Sequence, residues 1–175
     1  IKVVDNFLPD TEFYNIKRQM EAIDFPWYWQ EHSHGNIIEG KFVGDNVPQL
    51  IHGFVEDGYT NSEFYFLLKC SSCLSYLGTK SFDKVKVNCN FKTPESNIGW
   101  FHTDYEDKRK DESTTAILYI NTNNGGTKFE DGTFVNSVSN RMVTFDCSLK
   151  HAPVSCTDNN RRIVVNINYT KLKNE

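Results

Sequence analysis

No stretch of this chain approaches the ~18 consecutive apolar residues that would cross a bilayer, and its opening IKVVDNFLPD lacks the basic and apolar blocks of a secretory leader. The second absence weighs little in a sequence that starts at Ile1. Basic charge is scarce: 19 Lys and Arg against 23 Asp and Glu leave a net charge of −4. Such a chain offers no basic field to a nucleic-acid backbone, so neither nucleic acid nor membrane is indicated as a partner. Five cysteines cannot all pair, which excludes a complete disulfide framework and points to reduced thiols in a cytoplasmic setting. Cys70 and Cys73 form a CxxC, but inside EFYFLLKCSSCLSYLG, where apolar residues recur at helical spacing, and no second CxxC completes a zinc set. They are read as core or surface thiols. With no internal repeat, linker or low-complexity tract, one domain over residues 1–175 is expected.

What the chain has is aromatic bulk, 14% of residues with Phe the commonest, enough to fill one core. IKVVDNFLPDTEFYNIKRQMEAIDF reads as a short strand, a turn and a helix. Pro9, Asp10, Thr11 and Glu12 supply turn, cap and first-turn acid, and Phe13, Ile16, Met20 and Ile23 form the apolar stripe. Residues 25–66 have no clean period and suggest short strands or hairpins and long loops. Within them Trp27, Tyr28 and Trp29 read as core, the alternative being a wall of a substrate cleft. His32 and His34 share a face but have no carboxylate at ligand spacing, so they read as exposed or substrate-facing. A second helix is expected from about Ser62 to Leu77, ending at Gly78.

Beyond it, residues 84–91, 114–121, 140–145 and 162–169 are alternating or β-rich, separated by Gly, Asn and Asp clusters. Helices mainly within 1–80 and strands mainly within 84–170 predict a mainly β protein, its N-terminal helices packed on one sheet. GGTKF should be a hairpin, with Gly125 and Gly126 allowing the tight turn. In the last strand Ile163, Val165, Ile167 and Tyr169 share one face and Arg162, Val164, Asn166 and Asn168 the other. The apolar face should cover the helices and the polar face should look into the mouth of a barrel, where Arg162 needs an anion that a ligand can supply. The sequon Asn168-Tyr169-Thr170 falls in this strand and is read as accidental.

The stretch with chemistry is NCNFKTPESNIGWFHTD, residues 88–104. On an extended segment His102 and Asp104 point the same way, and His151 offers a third ligand 47 positions on. Two His and one carboxylate on one face of a metal leave the opposite positions open, the arrangement of non-haem Fe(II) oxygenases. A metal-stabilised, non-catalytic binding module would instead close its coordination shell.

His102-Thr103-Asp104, TTAILYIN, GGTKFEDG, MVTFDCSLKHAPVS and RRIVVNINY together resemble the 2-oxoglutarate- and Fe(II)-dependent dioxygenases, in particular their prolyl-hydroxylase-like branch, over about half the chain. The resemblance implies a double-stranded β-helix, or jelly roll, closed at one end by helices. It implies that His102, Asp104 and His151 hold Fe(II), and that Arg162 and Tyr119 hold the far carboxylate of 2-oxoglutarate. Arg161 is the alternative if the register shifts by one. Thr127 would stand either near the co-substrate or as an ordinary strand residue. The implied reaction consumes 2-oxoglutarate and O2, releases succinate and hydroxylates a C–H bond. Asp104 argues against halogenation, since related halogenases lack this carboxylate. Where protein hydroxylases often carry Trp this chain has Asn168, a smaller and more polar wall, and the loop YEDKRKDES is unusually charged. A protein or peptide side chain is the favoured substrate, with the aromatic segment from Phe25 to Phe66 as its groove. A small molecule or nucleobase is the alternative. The competing reading is a cupin-like metal-binding jelly roll that does not use 2-oxoglutarate, which would leave Arg162 unexplained.

Overall fold

The computed structural model describes residues 1–33, 35–45 and 47–170, with backbone alone at 35–38 and 110. In chain order the elements are β1 (Lys2–Val4), α1 (Asp10–Glu21), β2 (Tyr28–Gln30), β3 (Gly35–Ile38), β4 (Lys41–Gly44), β5 (Gln49–Glu56) and β6 (Tyr59–Thr60). Then come α2 (Phe66–Lys69), α3 (Cys73–Leu77), β7 (Lys84–Phe91), α4 (Arg109–Glu112) and β8 (Thr114–Tyr119). The chain closes with β9 (Gly126–Phe129), β10 (Phe134–Asn136), β11 (Arg141–Asp146), β12 (His151–Val154) and β13 (Arg161–Tyr169). Among the described residues no helix is long and apolar enough to cross a membrane.

The major sheet runs β1-β11-β8-β13-β7-β5-β2, with β6 added to β5, and the minor sheet runs β10-β9-β12. Every pairing is antiparallel. Alternation along the major strands splits their side chains between two cores. On one face Val85, Val87, Cys89, Ala116, Leu118, Ile163, Val165, Ile167 and Tyr169 pack with Phe13, Ile16 and Met20 of α1 and with Leu68, Cys73 and Leu77. Each buried Val, Leu, Ile, Phe or Met among them contributes about 1.5–3 kcal/mol. On the other face Ile117, Tyr119, Val143, Phe145 and Val164 meet Phe129 and Val135 of the minor sheet. Two antiparallel sheets with helices covering one of them make the expected jelly roll.

Three local expectations are corrected. Ile23 is fully exposed, because α1 stops at Glu21 and its cap Ala22 is extended (φ −65°, ψ 148°), which ends the helical period. The second helix is not continuous: a 3₁₀ turn over Glu63–Tyr65 leads into α2, and α3 starts afresh at Cys73. Between them the Ser71 hydroxyl donates to the Leu68 carbonyl (2.8 Å) and accepts from the Cys73 N–H (3.2 Å), while the Ser72 N–H donates to Glu12 (2.7 Å). Side chains that hydrogen-bond the local backbone compete with the helix. Gly78 does end α3 in the left-handed conformation, at φ 67°.

The third correction concerns Gly125 and Gly126, which do not form a turn. Gly126 opens β9, and the chain reverses around Gly132 (φ 92°), between β9 and β10. The two glycines are places of close backbone approach: a Cβ on Gly125 would lie 2.6 Å from the Val154 carbonyl oxygen, and one on Gly126 2.3 Å from that of Val135.

Candidate metal centre and co-substrate cavity

The loop carrying the HxD pair is zipped alongside β12. Ile98 bridges Val154, the Gly99 N–H donates to the Pro153 carbonyl (2.8 Å), and His102 and His151 exchange backbone hydrogen bonds of 3.0 Å in both directions. Two histidines 49 positions apart in the chain thereby become direct cross-strand neighbours, their ring centroids 4.5 Å apart. Asp104 lies in a bend just beyond the bridge rather than in a strand. The ligand atoms of His102, Asp104 and His151 all fall within 4.8 Å of one another, a grouping that could hold a metal ion.

Hydrogen bonding prepares all three. Nδ1 of His102 lies 3.0 Å from the Trp100 carbonyl and Nδ1 of His151 lies 3.1 Å from that of Leu149. A carbonyl can only accept, so both Nδ1 atoms carry the proton, which makes Nε2 the nitrogen with metal-ligating character on each ring. Burial, and then the proximity of His151, push the His102 imidazole down from 6.5 to about 4, so it is neutral near pH 7. Asp104 is held in the opposite sense. Burial works to raise its carboxyl, but the charge of His151, the Thr115 hydroxyl, the charge of His102 and the Asn168 amide outweigh it and keep the group below the ordinary carboxylate range. Thr115 donates to Oδ2, Asn168 donates to the same oxygen at 2.9 Å and Asn166 to Oδ1 at 3.2 Å. Asn168 thus does more than line the cleft: almost fully buried, it fixes the carboxylate, and that burial also denies the sequon to a glycan.

Two cavities meet here, with His102 and Asn166 on the wall of both. The narrow inner one runs between Asn88, Asn90, Ile117 and Val164 from the histidines to Arg162. Arg162 is 2% exposed, and burial works against its charge, lowering its pKa. No carboxylate partners it among the described residues. Nη1 donates to Asn90 (3.2 Å), Nη2 to Thr127 (3.4 Å), its carbon stands 5.6 Å from the Tyr119 ring centroid, and Nε has no acceptor among the described residues. The Tyr119 hydroxyl donates to Thr127 at 2.7 Å. Tyr119, Thr127 and Arg162 are therefore brought together at one end of this cavity, whereas Arg161 faces the other side of β13, near Lys17 and Glu21.

Behind Arg162 runs a line of buried amides that the sequence reading missed. Asn90 Nδ2 donates to Gln49 (3.1 Å), and Gln49 Nε2 donates to Gln30 (2.9 Å) on the wall of the outer cavity. Because Arg162 has only donors, Asn90 must offer it oxygen, which sets the orientation of both amides in turn. The signal for Asn88 and Asn90 was present as the period-2 polar set Lys84, Lys86, Asn88, Asn90 on β7, whereas Gln49 has none.

The outer cleft holds about 590 Å³ and is lined by Gln30 to Ser33, Phe42, Lys84, Lys86, Trp100, Glu106 and Lys150 beside His102 and Asp104. The expected aromatic groove is mostly elsewhere. Phe25, Phe54 and Phe64 pack around Trp27 and His52 in the core, and Tyr28 and Trp29 are exposed on the edge strand β2. From that segment the stretch Gln30–Ser33 and Phe42 reach the cleft, the His32 ring stacked on Phe42 at 3.9 Å. His32 joins no candidate metal group among the described residues, and His34 lies outside them. The CxxC pair is reduced, Cys70 exposed and Cys73 buried, with burial pushing the Cys73 thiol up to about 12.

No family model and no curated protein sequence matches the chain. Solved structures do. A 2OG-Fe(II) oxygenase family oxidoreductase from Burkholderia pseudomallei matches with a TM-score of 0.64 at 11% identity, over 96% of this chain and 84% of that one. A prolyl hydroxylase from Trichoplax adhaerens, in complex with a hypoxia-inducible-factor degradation-domain peptide, matches at 0.57 and 15%, over 97% and 83%. The viral collagen prolyl hydroxylase of Paramecium Bursaria Chlorella virus-1, in its 2OG complex, matches at 0.57 and 15%, over 98% and 96%. The chain has the fold of the 2-oxoglutarate- and Fe(II)-dependent oxygenases, prolyl hydroxylases among them.

Proposed function

We propose that this protein is a 2-oxoglutarate-dependent Fe(II) dioxygenase that hydroxylates a C–H bond on a protein or peptide side chain, as prolyl hydroxylases do. One observation carries the reading. A buried arginine without a carboxylate partner among the described residues stands at one end of a cavity whose other end opens on two imidazoles, each held at Nδ1 by a backbone carbonyl. A dicarboxylate that chelates a metal at one end and needs a cation at the other satisfies both.

The donor set fits Fe(II): imidazole nitrogen and carboxylate oxygen, three on one side with positions left open. When bound, iron, 2-oxoglutarate and O2 supply the oxidising chemistry, decarboxylation of the co-substrate coupled to oxygen insertion into the C–H bond. The chain's residues bind and orient. His102 and His151 would hold the metal through Nε2, each kept in the right tautomer by a backbone carbonyl. Asp104 would be the third ligand, fixed by Thr115, Asn166 and Asn168. Arg162 would meet the far carboxylate with its planar fork. Thr127 accepts from both Tyr119 and Arg162, which turns its own proton toward the cavity and the same carboxylate. The outer cleft would receive the substrate next to Asp104.

The test is addition of 2-oxoglutarate to anaerobic Fe(II)-loaded protein, watched through the visible charge-transfer band of the chelate, with Arg162→Ala alongside. A band in the wild type that weakens in the variant is expected. Bound metal with no band would move the reading to a jelly-roll metalloprotein that does not use 2-oxoglutarate.

A further inference from the structure

Three lysines line the outer cleft, and they are not alike. Lys84 is paired with Glu56 at 3.1 Å and Lys150 with Glu130 at 3.4 Å. Lys86 lies between Lys84 and Asn88 on the inward face of β7, directly across from Asn166 of β13, whose amide holds Asp104. It makes no ion pair among the described residues. It is only partly exposed, and burial, followed by the charge of Lys84, works against its protonation. The carboxylates whose fields favour its charge are Asp104 and, to a smaller extent, Glu56.

On the functional reading above, that compensation is spent elsewhere. The two charges of the metal would be met by Asp104 and by the co-substrate's chelating carboxylate, and the co-substrate's other carboxylate would be met by Arg162. Among the described residues, that leaves Lys86 as a half-buried charge at this centre without an ion-pair partner. The glutamates of the cleft wall, Glu31 and Glu106, are solvent-exposed, where water and salt screen them. A half-buried ammonium left over beside a reacting centre is costly unless something pairs with it.

We propose that Lys86 is a specificity-determining residue and that the substrate carries a carboxylate close to the C–H bond that is oxidised. Phe42 and Trp100 on the same cleft wall give the uncharged part of such a molecule an apolar surface. The carboxylate can belong to an Asp or Glu beside the target residue of a peptide, or to a small acid. The inference rests on the dioxygenase reading, because the charge balance does.

The experiment uses the full chain loaded with Zn(II) and 2-oxoglutarate, which does not turn over, and follows binding by saturation-transfer NMR of the ligand. Matched pairs differ only in carboxylate against carboxamide: N-acetylproline with N-acetylprolinamide, and proline-containing pentapeptides, capped at both ends, with Glu or Gln next to proline. A charge-assisted hydrogen bond implies that the carboxylate member binds about tenfold or more tightly. The preference should vanish in Lys86→Met and persist in Lys86→Arg. A preference in the peptide pair alone identifies a peptide substrate, and in the free acids alone a small-molecule one. Equal affinity within every pair, no binding by any carboxylate, or an undiminished preference in Lys86→Met overturns the inference while 2-oxoglutarate still binds. Failure of the wild type to bind 2-oxoglutarate would instead overturn the reading beneath it.

Discussion

Replacing Arg162 by Met should leave stability nearly unchanged while ligand binding collapses. Without ligand the guanidinium is buried, charged and supported by two neutral oxygens and an aromatic face, with Nε unpaired among the described residues. Burying an ion without a counter-ion costs several kcal/mol even after relaxation. Against this the two hydrogen bonds return about 1.5–3 kcal/mol each and the ring contact about 1 kcal/mol. Met is of similar length and leaves one oxygen, that of Asn90, without its donor, at about 1–2 kcal/mol; Thr127 keeps the Tyr119 hydroxyl. These terms nearly cancel, so the metal-free variant should lie within about 2 kcal/mol of wild type. Binding of 2-oxoglutarate should fall by about a hundredfold or more, from the loss of two charge-assisted bonds. Urea denaturation of the metal-free proteins reads the first effect and anaerobic titration of the Fe(II) forms the second. A variant destabilised by more than about 2 kcal/mol that bound 2-oxoglutarate like wild type would refute the reasoning and make Arg162 an ordinary structural residue.

Asn90→Asp places a carboxylate where Oδ1 now stands, 3.2 Å from Nη1. It should compete with 2-oxoglutarate for Arg162 and raise the dissociation constant by about tenfold or more, measured by the same titration. Asn168→Ala removes the amide that fixes Asp104 and should weaken metal binding by about 10–100-fold with the far-UV circular dichroism unchanged. For pH the sign follows from His102, whose folded-state pKa of about 4 lies below its ordinary 6.5. The unfolded chain binds the proton first, so the metal-free protein should lose stability as pH falls from 6.5 toward 4, by an order of 2 kcal/mol. His102→Gln should flatten that slope in urea midpoints measured at pH 7 and 4.5. Gly126→Ala drives a Cβ against the Val135 carbonyl and should cost about 1–3 kcal/mol by the same denaturation assay.

What the sequence alone determined follows from alternation and from side-chain chemistry. The parity of residues 162–169 sent Ile163, Val165, Ile167 and Tyr169 to the helices and Arg162 inward, because a strand's period is fixed at two, and the structure has that arrangement. His102, Asp104 and His151 could be singled out because few residue types can ligate a metal. Local signals were weaker where side chains compete with backbone. Ser71 and Glu12 break the second helix through bonds no periodicity reveals, and Gly125 and Gly126 answer to the carbonyls of other strands rather than to a turn.

Only the tertiary structure decided how the candidate residues are prepared. The tautomers of His102 and His151 depend on backbone carbonyls displayed by the bridge between the loop and β12. The grip on Asp104 depends on Thr115 and Asn168 arriving from two different strands. That Arg162 and Lys86 have no carboxylate in ion-pair contact among the described residues is a fact about what surrounds them. Hydrogen-bond partnership and the burial of charge are set by distances between parts of the chain that its linear order leaves free, so they enter only when the sheets close.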